Sequence, residues 1–485
     1  MLSSVLESIN GFLGSVLFFD ILFGQVEGTS IPFLVAWLLF AAVYFTIAMG
    51  FPNLRFFKHA FEVMLGKWQT KDDKGLITPF QSLTTALSAT VGLGNIAGVA
   101  VAIMIGGPGA TFWMIVAGLL NMTLKFTEVT LSLQYRTFLP DGSVLGGGMR
   151  YLSEGLKEKG LPKLGRILAW IFALFMLGGA LGGGNAFQVS QALGAVKGQI
   201  PLLAEQPWIF GVGLAILTGM VIIGGVKSIA HVTEKIVPLM VVIYVSASLY
   251  ILFINFSHIP EAFALIIKEA FAPTAVAGGI AGVIVQGFKR ASFSSEAGIG
   301  SAPIAHAPAK VKYPVRQGMV ALYEPFIDTV VICTMTALVV VITGVYGGGT
   351  ETLDAIIEAK QGAALTSAAY GTVISWFPVI LTISVTLFAF STMISWSYYG
   401  DRAWVYLFGA RSGIIFKLIF LAVIVLASLV DKLGPLVDLT DLLFLSMALP
   451  NIIGLYLLQD KVKEALKEYR QKLKSGELEQ ERIKE

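Results

Sequence analysis

The chain has 485 residues, 55% hydrophobic and only 13% charged, with a mean hydropathy of +0.77 and a formal net charge of +3. No soluble domain needs that much apolar surface, so the composition excludes a water-soluble protein and points to many membrane spans. One cysteine (Cys333) excludes an internal disulfide, four scattered histidines give no metal-ligand spacing, and the lack of a P-loop argues against ATP hydrolysis as a driving force.

The opening MLSSVLESINGFLG has no basic segment and carries Glu7, so it makes a poor signal peptide. Residues 3–24 are amphipathic, with Asp20 inside, and predict an interfacial helix. Ile31–Phe51 is a full apolar span, followed by a loop with Arg55, Lys58, Lys67, Lys71 and Lys74. Ten core spans are expected after it, in two blocks of five. The first block covers about 83–106, 110–133, 167–196, 208–224 and 235–255, and the second about 274–302, 318–343, 373–399, 413–429 and 440–458. The remainder from Asp460 is a charged tail whose KVKEALKEYRQKLK is a basic amphipathic helix, either a solvated extension or a binder of anionic lipid. The units expected are therefore 1–79 (peripheral helix, extra span and basic loop), 80–256 and 257–459 (the two blocks), and 460–485 (tail).

The first core span is interrupted. TTALSATVGLGNIAG opens as an apolar helix and breaks at Gly92 and Gly94, with Asn95 directly behind. Lipid cannot hydrogen-bond freed backbone groups, so such a break survives only where it lines a cavity or binds something. Two half-helices meeting there present N–H groups to an anion and carbonyls to a cation, the shape of a site for an amino acid and a metal ion. Close packing of glycine-bearing helices is the alternative. The sixth core span repeats the pattern in FSSEAGIGSAP, with Gly298 206 residues after Gly92. Paired interruptions at matching positions of two halves point to a secondary-transporter site.

Lysine and arginine orient the chain. If the loop at 52–79 is cytosolic, alternation puts 27 of the 34 Lys+Arg inside and four (Lys197, Lys268, Lys360, Lys432) outside, with three in spans. The first block then runs inside to outside and the second outside to inside, a 5+5 inverted repeat, with the amino terminus out and the tail in.

TALSATVGLGNIAGVA, GGPGATFWM, LKFTEVTLSLQYR, FKRASFSSEAGIGSAPIAHA and WSYYGDR resemble the alanine or glycine:cation symporter family, over about Phe80 to Gly454. The resemblance implies an all-α bundle similar to the bacterial leucine transporter, a fold built from inverted repeats. It also implies sodium-driven uptake of a small neutral amino acid, alanine or glycine first, and no enzymatic activity.

A zwitterion needs both charges satisfied in a dry pocket. Backbone N–H groups around Gly92, Gly94 and Asn95 are expected to hold the carboxylate, and carbonyls near Thr90 and Phe293 the ammonium. Asn95 either assists through its amide or caps the broken helix. Gln188 and Asn185 on the third core span are either substrate contacts or packing hydrogen bonds, and Gln286, two turns before Phe293, is placed to tune pocket size. By resemblance, Phe293 lids the pocket beside Ser294, and the Ser391/Thr392 pair binds Na⁺ together with span-1 carbonyls at Ser88 and Val91; Trp396 would form a wall. Sodium needs several hard oxygens, which these groups supply.

Buried charges in a bilayer normally have partners or jobs. Lys125 and Glu128, three apart, are expected to pair; Lys289, Arg290 and Glu296 flank the second break as helix-end anchors or a gate. Asp328, near Glu324, is either a structural carboxylate or a proton or cation site. Na⁺ coupling, H⁺ coupling on the same fold, and a channel-like protein with purely packing glycines are the open readings. Membrane lipid is the expected surroundings and nucleic acid is not an expected partner.

Overall fold

The computed structural model describes residues 11–12, 14–23, 30–197, 200–271, 279–358, 361–429 and 442–481. The first ten residues, the starts of the sixth and tenth expected spans (274–278 and 440–441), Lys360 and Lys432 lie outside them. Apart from a two-stranded hairpin at 137–145, regular structure among the described residues is helical. Each of the eleven expected apolar segments contains a helix. Among the described residues, seven helices are long and apolar enough to cross a membrane, eight if a bent pair counts as one span.

The helices that build the molecule are α1 (Phe33–Ala48), α2 (Phe57–Met64), α3 (Pro79–Thr90) and α4 (Gly94–Gly106). Next come α5 (Ala110–Gln134), α6 (Pro162–Lys197), α7 (Pro207–Ile222) and α8 (Gly225–Ile254). The rest are α9 (Gly279–Ser295), α10 (Ala302–His306), α11 (Pro314–Thr343), α12 (Gly362–Gly371), α13 (Phe377–Phe408), α14 (Gly413–Ser428) and α15 (Leu442–Ser475). This is an all-α polytopic membrane protein.

Burial sorts the helices. At 25 residues α5 extends roughly 38 Å, beyond the ~30 Å hydrocarbon thickness, and it is enclosed for most of its length. It carries the intramembrane Asn121, Lys125 and Glu128, all buried. The outer helices α7 and α8 instead expose Ile216, Leu217, Met220, Leu239, Val242 and Phe253, the surface lipid would cover.

Two sequence expectations change. Asp20 does not sit in a continuous peripheral helix; the helix in this stretch ends at Leu17. Asp20 Oδ1 accepts the N–H groups of Leu22 (3.1 Å) and Ile31 (2.8 Å), organising the turn that leads into α1. Nor does the tail stand free of the bundle. α15 runs unbroken through the expected boundary at 459/460, and Val462, Leu466, Tyr469 and Leu478 are buried. Tyr469 Oη meets His59 Nε2 at 2.7 Å and accepts from Arg316 Nε at 3.3 Å, while Glu481 accepts from Lys312 and Tyr313. A basic amphipathic helix has an apolar stripe to cover, and here the cytosol-facing loops of the expected topology cover part of it.

Candidate functional site: two facing helix breaks and the cavity above them

α3 starts at a capping box: Thr78 Oγ1 accepts the Gln81 N–H, Gln81 Oε1 accepts the Thr78 N–H, and Pro79 occupies the first helical position. It stops at Val91, whose ψ of 107° is extended. α4 then resumes as a π-helical turn over Gly94–Gly98, and the two pieces make an angle of 54°. Further π-helical turns lie at Gly182–Ala186 in α6 and Phe326–Ile332 in α11. Single wide turns of this kind inside α-helices are frequent at functional sites.

The second break follows Ser295. Glu296, Gly298 and Gly300 have φ of 54°, 82° and 86°, left-handed values that a side-chain-bearing residue such as Glu296 seldom adopts. The segment is held down: Ser301 Oγ donates to Glu296, and Asn451 Nδ2 from α15 donates to Gly298 O (2.8 Å) and Glu128 Oε1 (2.6 Å). The two breaks face each other, since a Cβ on Gly94 would come within 3.4 Å of Ser294 Cα.

A cavity of about 990 Å³ ends on this junction. Among the expected site residues, Thr90, Gly92, Gly94, Gln188, Phe293, Thr392 and Trp396 line it. The lining continues to Lys197, Gln361 and Leu381 at the helix ends on the side away from Arg136 and the tail. Gln188 Nε2 donates to Gly183 O at 3.0 Å, and its buried Oε1 finds no hydrogen-bond partner among the described residues. Phe293 stacks on Phe444 (5.7 Å, 11°), which in turn abuts Trp396 (5.6 Å). Trp396 fits because α6 has glycine opposite it: a Cβ on Gly184 would lie 2.4 Å from Trp396 Cβ.

Ser88, Val91, Asn95, Gln286, Ser294 and Ser391 are not part of that lining. Ser88 and Ser391 lie just behind it in a cluster of oxygens. Ser88 Oγ donates to Ser391 O (2.7 Å) and meets Ser391 Oγ (2.6 Å); Ser391 Oγ and Thr392 Oγ1 reach Ser88 O at 3.3 and 3.2 Å. Ser395 Oγ completes it, at 2.9 Å from Thr85 O and 3.0 Å from Ser88 Oγ. Gln286 is packed against Gly106 at the far end of α4, too distant along the helix to shape the pocket floor. Asn185 Nδ2 donates to Phe420 O at 2.7 Å, a packing hydrogen bond.

Asn95 works as a cap and a cross-link. Its Oδ1 accepts the Gly92 N–H at 2.7 Å, while its Nδ2 lies 2.7 Å from Asp328 Oδ1, 3.0 Å from Asp328 O and 3.1 Å from Ser294 Oγ. Asp328 also accepts from Ser294 Oγ (2.5 Å) and Thr329 Oγ1 (2.8 Å). The expected Lys125–Glu128 ion pair does not form. Lys125 Nζ pairs instead with Glu324 at 2.9 Å across α11, and Glu128 takes Asn451. Neighbours on one helix must still point at each other, and here each finds a better-placed partner on another element. Asn451 and Phe444 were not singled out from sequence, although an asparagine in an apolar run is a signal for the first.

On the opposite side the two broken helices are stitched together. The Leu76 and Lys310 N–H groups bond to Pro308 O and Ile77 O (2.7 and 2.8 Å), and Ser82 Oγ donates to Ala305 O (2.8 Å). Arg136, at the end of α5, donates to the carbonyls of Lys74, Ala307, Ala309 and Val311. Burial lowers its pKa to about 10, which still leaves it charged at neutral pH.

Apolar helices surrounding a cavity that ends on two apposed backbone breaks, sealed on one side, make this a multi-pass membrane transporter. The chain matches the sodium:alanine symporter family over residues 18–484 and belongs to it. It is 39% identical to the sodium/alanine symporter AgcS of Methanococcus maripaludis, over 90% of this chain and 94% of that one. It is 33% identical to a Bacillus subtilis protein named "Probable sodium/glutamine symporter GlnT" (91% and 89% covered). With the amino-acid carrier protein AlsT of the same organism the identity is 32% (90% and 88% covered). The family is one of transporters, not enzymes, as the sequence motifs imply.

Proposed function

We propose that the protein couples inward Na⁺ movement to uptake of a small neutral amino acid, alanine or glycine first, by alternating access. The units are two inverted five-span blocks, 80–256 and 257–459, behind an amino-terminal unit (1–79) and ahead of a cytosolic tail (460–485), with the amino terminus outside. The observation that carries the reading is the cavity floor, where both breaks meet beside the Ser88–Ser391–Thr392 oxygen cluster.

The Gly92 and Asn95 amides are engaged in the cap, so the first-turn N–H groups of Leu93 and Gly94 remain for the substrate carboxylate. Carbonyls near Thr90 and Phe293 would take the ammonium, and the unpartnered Gln188 Oε1 offers a further acceptor. Phe293, Phe444 and Trp396 bound the space for the side chain, which favours small substrates. The cargo Na⁺ would sit among the carbonyls of Ser88 and Val91 and the hydroxyls of Ser391 and Thr392, hard oxygens suited to it.

A zwitterion moving with one Na⁺ carries a net charge of +1. A potential of about 100 mV then supplies about 2.3 kcal/mol. That corresponds to roughly fifty-fold accumulation. On this reading inward opening would break the Arg136 and Leu76–Pro308 contacts, and the open side of the cavity would face outward.

The test is alanine uptake into proteoliposomes in Na⁺ and in K⁺ at equal ionic strength. Saturable, electrogenic uptake only in Na⁺ is expected; an ohmic current without uptake would mean a channel. Proton coupling is the second reading, favoured by the Asp328 carboxylate bonded to both Asn95 and Ser294. Uptake in Na⁺-free buffer driven by a pH step would establish it instead.

A further inference from the structure

A second, smaller cavity of about 250 Å³ lies between the end of α1 and the tail portion of α15. Ala48, Met49 and Leu466 form its apolar side, and Lys463, Lys467, Arg470 and Lys474 supply its charge. Those four residues recur at intervals of four, three and four, so at about 100° per residue they fall within an arc of roughly 60° on the helix.

The charge of this stripe is uncompensated. Among the described residues no carboxylate pairs with any of the four, and Lys463 Nζ reaches only the neutral Gln459 Oε1, at 2.8 Å. Lys472, on the opposite face of the same helix, pairs with both Glu468 (3.1 Å) and Glu477 (3.4 Å). The unpaired cations therefore occupy one face only, and that face borders the groove.

Exposed apolar side chains neighbour the groove at the end of α1. Ile47, one residue from its apolar wall, is 63% exposed, and Leu54 just beyond is 72% exposed. Apolar side chains bared near the end of a span suit acyl chains, and the basic stripe lies across the groove from that end of α1. A lipid lying there puts its tails along α1 and its headgroup among the four cations. Basic pockets beside membrane helices on the cytoplasmic side are suited to anionic headgroups.

We propose that this groove binds the headgroup of an anionic phospholipid. Binding would fasten the tail helix, and through Tyr469 and Arg316 the sealed side of the transporter, to the membrane surface.

The test uses the full-length protein in detergent, titrated with phosphatidylglycerol, with phosphatidylcholine of the same chains, or with inorganic phosphate, following thermal unfolding and lipid retention in native mass spectrometry. Phosphatidylglycerol is expected to raise Tm and to be retained, and the other two are not. The variant Lys463→Gln/Lys467→Gln/Arg470→Gln/Lys474→Gln should weaken that effect by about tenfold or more. A Lys163→Gln/Lys227→Gln control should keep it. The altered side chains are exposed or half-buried, so the quadruple variant should elute as the parent does; the single Arg470→Gln, weakened several-fold, provides a milder check. Equal responses to both lipids, an equal response to inorganic phosphate, or an undiminished response in the quadruple variant would each overturn the proposal.

Discussion

Asn95 and Asp328 are joined by a 2.7 Å hydrogen bond that links the second half of a broken span to the π-helical turn of a neighbouring one. The same asparagine closes the gap in its own helix by accepting the Gly92 amide. One side chain thus sets the shape of the break and its attachment to α11, and Ser294 ties in the second break through the same carboxylate. The broken backbone at the cavity floor is held from behind, by residues the cavity does not reach.

Removing either end of that bond should therefore do more than loosen packing. Asp328→Leu takes the carboxylate acceptor from the Ser294 and Thr329 hydroxyls and the shortest of the Asn95 amide's bonds, at about 1–3 kcal/mol for each group left unsatisfied. Asn95→Leu frees the Gly92 N–H. Both should lower Tm in detergent and cut alanine uptake at least tenfold, and Asn95→Leu should also lose the alanine-dependent thermal shift. An Asn95→Leu protein transporting at the parental rate would show that the cap is dispensable.

Ser391 and Thr392 present hydroxyls to the Ser88 carbonyl. If these oxygens hold the coupling ion, Ser391→Ala and Thr392→Ala should each raise the Na⁺ concentration giving half-maximal uptake by about 10–100-fold, equivalent to about 1.4–2.8 kcal/mol. Titrating Na⁺ at saturating alanine reads this directly. A change in alanine KM with unaltered Na⁺ dependence would relocate the ion.

Gly184 is where α6 admits Trp396. A Gly184→Ala side chain would lie 2.4 Å from Trp396 Cβ and Cγ, so the indole must move, an overpacking cost of about 1–3 kcal/mol. Gly183→Ala, with nothing within 4 Å of its new methyl, is the matched control. Tm should fall for the first variant only, with uptake impaired through the displaced pocket wall.

His59 lies on α2, outside the membrane spans, against Tyr469 and near Arg316. Burial is the main reason its pKa falls from 6.5 to about 4; Arg316 adds to the drop and Glu62 opposes it. The folded state thus keeps this imidazole neutral while the unfolded chain protonates it, so stability is complete above about pH 6.5 and declines as pH falls toward 4. Tm should be lower at pH 5 than at pH 7.5, and His59→Gln should flatten that dependence. An unchanged slope would assign it to other groups.

Much of the site was legible because its signals are local. A glycine pair within an apolar run, followed by a polar residue, violates what lipid tolerates; Thr90, Gly92, Gly94 and Phe293 adjoin such violations, the motifs point to Thr392 and Trp396, and all six line the cavity. Asp328 was visible as an intramembrane carboxylate, but its partners were not: Asn95 and Ser294 lie 233 and 34 residues away. Lys125 and Glu128 show the opposite error, since proximity on a helix suggested a pair that the surrounding helices replaced with Glu324 and Asn451.

Apolar length and glycine punctuation were enough for the sequence alone to determine a helical membrane protein with two interrupted spans, and its motifs carried the resemblance to the symporter family. Those features act through backbone hydrogen bonding and lipid burial, which depend on neighbouring residues. Only the tertiary structure decided that the breaks face one another, that Asn95 braces them from behind, and that the tail packs under the sealed side. These are questions of which side chains meet across hundreds of residues, and buried polar groups take whichever partner the packing of whole helices brings within reach.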